Sequence, residues 1–96
     1  MIQLSPGKLA ELCHRYDIAL LRAFGSVARG EDRPDSDLDL LVRFRRPKSL
    51  LELVRIEREM SEELGRRVDL VTEASLSPYL RERVLRQATV LYDRAG

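Results

Sequence analysis

The sequence predicts an α/β domain in which a sheet is covered by helices. Three observations lead there. Segments of helical periodicity alternate with short apolar runs along the whole chain. Three of the helical segments open on a serine that can cap them: Ser5 before Pro6, Ser49 with Glu52 three residues on, and Ser77 before Pro78. No internal repeat, low-complexity stretch or linker interrupts the alternation. With 96 residues there is room for one modest core, so the expectation is a single domain over 1–96.

The elements follow in the order α-β-α-β-α-β-α-(β). After Ser5-Pro6, Leu9, Leu12, Cys13 and Tyr16 fall on one helical face, and Asp17 closes the helix. Ala19 to Phe24 is a short apolar run, read as a strand. Gly25-Ser26 breaks it, and Val27-Ala28-Arg29-Gly30 offers a short helix. Glu31 to Asp35 is a polar loop. Asp37 to Phe44 is the second strand. The capping box at Ser49 and Glu52 opens a long helix that runs to Gly65, with Leu50, Leu53, Val54, Met60 and Leu64 expected on its inner stripe. Arg67 to Val71 is the third strand. The last helix runs from Pro78 to about Gln87, with Leu80 and Val84 expected inward, and Thr89 to Tyr92 adds a short final strand. Strand order does not follow from this pattern.

Composition excludes several classes. Charged residues make up 34% and hydrophobic ones 44%, a balance that suits a folded soluble chain. No apolar run reaches membrane-span length, and Met1 to Pro6 lacks the regions of a signal peptide, so a cytoplasmic location is expected and no membrane partner. The lone cysteine, Cys13, excludes an internal disulfide and reads as a core residue, while His14 falls off the apolar stripe and should face solvent. A net charge of +1 and few aromatic residues argue against a nucleic-acid platform, and direct nucleic-acid binding is not expected. The positive charge is almost entirely arginine, fifteen Arg to two Lys, which favours bidentate contacts to carboxylates or phosphates.

The chemistry concentrates in F-G-S-V-A-R-G-E-D-R-P-D-S-D-L-D-L-L-V-R-F, residues 24–44. Asp37 and Asp39, two residues apart on a strand, share a face, and Asp39 lies between leucines. Like charges at the edge of a core repel and resist desolvation. A calcium loop does not explain them, because the required glycine and glutamate positions hold Leu40 and Arg46. A Walker-type loop at Gly25 and Gly30 fails too, since Glu31-Asp32 replaces its Lys-Ser/Thr. A structural reading would pair the aspartates with Arg29, Arg33 or Arg43, yet exposed pairs contribute little and Asp39 is flanked by apolar residues. A divalent-metal site uses all the features. Asp37 and Asp39 supply two hard oxygen ligands, and Asp69, set between Val68 and Leu70 in another short strand, can supply a third. Gly25-Ser26, at a strand-to-helix turn, suits phosphate. Metal plus phosphate cradle indicates a nucleoside triphosphate and displacement at phosphorus.

Gly25-Ser26, ten residues, Asp37-Leu38-Asp39-Leu40, and then Val68-Asp69-Leu70 resemble the motif of the nucleotidyltransferase superfamily that includes DNA polymerase beta. The longer match, F-G-S-V-A-R-G-E with S-D-L-D-L-L-V, resembles the minimal, MntA-like nucleotidyltransferases, and the likeness spans nearly the whole chain. It implies the nucleotidyltransferase fold, a small mixed sheet flanked by helices. It implies that Gly25 and Ser26 hold the β- and γ-phosphates of ATP, and that Asp37, Asp39 and Asp69 are catalytic residues that bind two Mg2+ (or Mn2+) ions. Asp69 would lie on the acceptor side and help to activate the incoming hydroxyl. Arg29 and Ser36 match the extended motif: Arg29 divides between phosphate contact and a pair with Asp35 or Glu31, and Ser36 is expected to cap the strand entry.

Larger members of the superfamily append an acceptor-binding domain, and no such domain is expected here. One side of the site is therefore expected to be open, with a partner supplying the acceptor. The resemblance implies an antitoxin that transfers AMP from ATP to a tyrosine hydroxyl of a helical HEPN-type RNase toxin. Two alternatives stay open: a non-catalytic antitoxin that neutralises by contact, and nucleotidyl transfer to a small hydroxylated molecule. Base preference and homo-oligomer formation also stay open.

Overall fold

The first helix shows how local signals are converted into packing. Leu9, Leu12, Cys13 and Tyr16 recur at helical spacing, and in the computed structural model the first three are buried on one side of α1 (Pro6–Arg15) and Tyr16 is buried just past its end, with His14 exposed. The structure describes residues 6–25 and 37–94; the Ser5 cap and the expected helix at 27–30 lie outside them. Asp17 ends the helix in a left-handed conformation, φ 57°, and its carbonyl accepts from Arg45 N at 2.7 Å.

Four strands follow the predicted order: β1 (Ile18–Phe24), β2 (Leu38–Phe44), β3 (Val68–Thr72) and β4 (Thr89–Asp93). In space they run β3-β2-β1-β4, with β2 parallel to β3 and both other pairs antiparallel. The parallel pair requires a crossover, supplied by α2 (Leu50–Leu64). The capping box at the start of α2 forms as read: Glu52 N donates to Ser49 Oγ at 3.1 Å, and Ser49 N donates to Glu52 Oε1 at 3.3 Å. Gly65 closes the helix at φ 66°.

Two expectations for the helices are corrected. On α2, Leu50 is 76% exposed and Val54 55%, while Ile56 and Met60 are the buried positions and Leu53 and Leu64 pack partly against the core. Val54 lies about 100° around the helix from Leu53. Leu50 has the right angle but stands a turn nearer the helix start, where the described residues do not cover it. On α3 (Pro78–Gln87), Leu80 is exposed rather than inward, Val84 is half-buried, and no residue of the helix is fully buried.

The main core joins α1 and α2 to one sheet face through Leu12, Ile18, Leu21, Leu38, Leu40, Ile56 and Met60. Cys13 is in it, and burial pushes its thiol up to about 12. Leu20 and Leu41 are buried too but stand outside that cluster. Successive strand residues point to opposite faces, so these two belong to the other side of the sheet. There the short 3-10 turn η1 (Glu73–Ser75) packs near β2, and Glu73 Oε1 accepts from Arg22 at 3.3 Å and from Arg43 at 3.1 Å.

Edge strand β3 is tied to α2 by side chains. Ser61 Oγ accepts from Val68 N at 2.9 Å, and Glu57 Oε2 accepts from Leu70 N at 2.8 Å. These bonds satisfy backbone donors that an edge strand would otherwise present to solvent. They also hold β3, and with it Asp69, in register beside β2.

Candidate active site

Register places the central carboxylates. In the parallel ladder Asp39 of β2 is the direct partner of Asp69 of β3, flanked by the pairs Leu38–Val68 and Leu40–Leu70. The four apolar neighbours turn into the core, all of them buried, so alternation sends Asp39 and Asp69 to the opposite face. Asp39 is half-buried and Asp69 exposed. At the shared start of the two strands Leu38 N donates to Arg67 O at 2.8 Å. Asp37 stands exposed just before β2.

The third piece comes from the end of β1. Phe24 is the antiparallel partner of Asp39, so the next residue, Gly25, passes directly over that carboxylate. Gly25 has φ +72°, a conformation L side chains rarely adopt. A Cβ built there would overlap Asp39 Oδ2 and lie 3.3 Å from Cγ. Glycine is thus required twice, by the backbone angle and by the closeness of the carboxylate. The G-S turn and the D-x-D strand, read separately in the sequence, meet at one point.

The structure thus brings together Gly25, Asp39 and Asp69. Asp37 is one residue short of the strand, and Ser26, Arg29 and Ser36 lie outside the described residues. Donor chemistry suits a hard divalent cation, because every candidate ligand is a carboxylate oxygen and two of them are cross-strand neighbours. Among the described residues, however, no three carboxylate, imidazole or thiol groups converge closely enough to hold a metal ion.

Sequence reasoning missed the other charged constellation on this face, Arg22 and Arg43 converging on Glu73. Arg43, which a structural reading would have paired with an aspartate of the D-x-D, takes Glu73 instead. No local signal marks Glu73, because it reaches the two strands only through the turn that ends β3.

The model of the nucleotidyltransferase domain family matches residues 8–91, nearly the whole described chain. The protein adenylyltransferase MntA of Thermococcus cleftensis is 42% identical over 77 residues, which cover 80% of this chain and 78% of that one. Among solved structures, a candidate minimal nucleotidyltransferase is 49% identical, with a TM-score of 0.74 over 88% of this chain and 86% of that one. A chain of a toxin–antitoxin complex with AMP-PNP superposes with a TM-score of 0.80 at 25% identity, over 94% of this chain and 74% of that one. Motif, sheet order and these likenesses agree: the chain belongs to the nucleotidyltransferase domain family, in its minimal, MntA-like branch.

Proposed function

We propose that this chain is a Mg2+- or Mn2+-dependent antitoxin that transfers AMP from ATP to a tyrosine hydroxyl of a HEPN-type RNase toxin. The observation that carries the reading is the juxtaposition of Asp39 with Asp69 across the ladder, beside a Gly25 at which the Asp39 carboxylate leaves no room for a side chain. Support for the adenine nucleotide and for the toxin comes from the relative solved as a toxin–antitoxin complex with AMP-PNP, and support for a protein acceptor from the adenylyltransferase relative.

In this mechanism Gly25 and Ser26 seat the β- and γ-phosphates, with backbone N–H groups of the turn as donors. Asp37, Asp39 and Asp69 would hold the divalent ions, which supply charge neutralisation at the phosphates and a lowered pKa for a bound hydroxyl. Asp69, on the solvent side of the pair, accepts the proton of the tyrosine hydroxyl. The tyrosine oxygen attacks the α-phosphorus in line. One O–P bond forms, the bond to the β-phosphate oxygen breaks, and pyrophosphate leaves with that electron pair. The rate gain rests on positioning and on fixed charge, with no covalent intermediate on the chain.

The test is incubation with ATP, Mg2+ and the toxin, followed by intact mass of the toxin. The expected result is a mass gain of AMP with wild type and none with Asp39→Asn. A toxin that gains no AMP, yet is neutralised equally by wild type and Asp39→Asn, would instead establish neutralisation by contact.

A further inference from the structure

The end of β2 away from Asp39 carries a second surface that the reaction does not use. Where β2 turns into α2, a groove of about 530 Å³ is lined by Val42, Phe44 and Leu53, by Arg45, Arg46 and Arg81, and by Glu73, which Arg22 and Arg43 hold. Its other cations are committed: Arg43 binds Glu73, and Lys48 lies 3.4 Å from Asp17 Oδ2 and over the Phe44 ring. Among the described residues, no carboxylate lies within ion-pair distance of Arg45, Arg46 or Arg81. Beside Leu53, the first turns of α2 expose Leu50 (76%), Leu51 (83%) and Val54 (55%). Large apolar side chains exposed together beside an arginine rim are the make-up of a docking surface.

We infer that this corner grips the acceptor protein through an apolar anchor on that partner flanked by carboxylates. The inference rests on the proposed function in so far as the acceptor is a protein. Charge complementarity selects the occupant, since free guanidinium groups pair best with carboxylates in bidentate geometry, and the groove is apolar beneath them. A second copy of the chain fits poorly: a two-fold contact through this corner would bring Arg45 and Arg46 of both copies together. Single-stranded nucleic acid fits poorly as well, because among the described residues Phe44 is the sole aromatic one lining the groove, and Lys48 already covers its ring. Six residues of strand separate Asp39 from Arg45, roughly 20 Å. A protein acceptor spans both places at once, and the hold at the corner raises the effective concentration of its hydroxyl at the site. A small hydroxylated molecule cannot.

The test uses the intact chain and the toxin, with Arg45→Glu/Arg46→Glu and Leu51→Asp as variants. All three positions are exposed, so melting temperatures should match wild type. Affinity is measured without nucleotide by calorimetry, and AMP transfer by intact mass. Each variant should weaken binding by roughly tenfold or more and raise KM in proportion, with kcat at saturating toxin unchanged. Transfer with unchanged Kd and KM in both variants overturns the inference and leaves the proposed function intact. Binding that is lost in the variants, with no AMP transfer by wild type, sinks the proposed function and leaves the inference intact. Absence of any binding by wild type overturns both. Self-association abolished by Leu51→Asp, or binding of single-stranded RNA abolished by Arg45→Glu/Arg46→Glu, with toxin affinity unchanged in either case, assigns the corner to that other occupant and overturns it too.

Discussion

Strand β2 carries charge on one face at both ends, and the two ends resolve it differently. Near its start Asp39 has Asp69 as its cross-strand partner, two carboxylates side by side. Near its end Arg43 shares Glu73 with Arg22, two cations joined by one anion. Buried Leu41 separates the two groups along the strand. Like charges directly opposite one another destabilise a sheet, and between Arg22 and Arg43 Glu73 bridges the two cations. At the arginine end the counter-charge is Glu73, from the turn that follows β3. At the aspartate end, on the proposed reading, cations that arrive with the nucleotide bind at the carboxylates.

That contrast can be broken at either end. The largest effect is expected for Asp39→Asn, which should lower AMP transfer by on the order of 10²- to 10³-fold while the protein stays folded at the assay temperature. Activity assays alongside thermal melts check it; full activity combined with a lower melting temperature would make Asp39 structural. Gly25→Ala comes next. Its left-handed backbone alone should cost about 1–2 kcal/mol in urea unfolding, and displacement of the Asp39 carboxylate should lower transfer as well. If stability falls but transfer does not, the close approach of Gly25 to Asp39 has no part in the reaction.

At the arginine end, Glu73→Gln should cost about 1 kcal/mol in the same urea measurement, a modest figure because all three partners are partly solvated. Transfer with saturating toxin should not change; a loss as large as that of Asp39→Asn would join the two ends into one site. The last prediction concerns Cys13, as a control remote from both, where no change in transfer is expected. Its thiol is pushed up to about 12 in the folded state, so the proton is held more tightly there than in the unfolded chain. The stability it contributes is complete below the unfolded value of 9.0 and is lost as pH rises toward 12. Stability curves of wild type and Cys13→Ala should therefore converge over that alkaline range, and thiol reagents should label native protein only as fast as it opens. Rapid labelling of the native protein would contradict the burial.

Local features were legible from the residues alone. Ser49 and Glu52 make their capping box because both partners lie within one helical turn. The α1 stripe buries as read because every apolar position on it is used. Val54 lies off the buried stripe. Leu50 is exposed although its angle is right, because periodicity gives the angle of a side chain around its helix but only the neighbouring sheet decides how far along that helix the cover extends. Glu73 was invisible for a related reason, since its partners lie on two strands distant in sequence.

For the site, sequence dictates the chemistry and tertiary structure decides the adjacency. Residue types and spacing already gave a glycine-serine turn, a D-x-D strand and a lone aspartate in an apolar run, because acid chemistry and strand alternation are local properties. That Asp39 faces Asp69 in the ladder, and that Gly25 sits against Asp39, depends on the order β3-β2-β1 and on its register. A slip of one residue would send a carboxylate into the core. Register is held by the apolar neighbours on the buried face and by the bonds from Ser61 and Glu57 to β3, interactions between segments whose meeting no local pattern records.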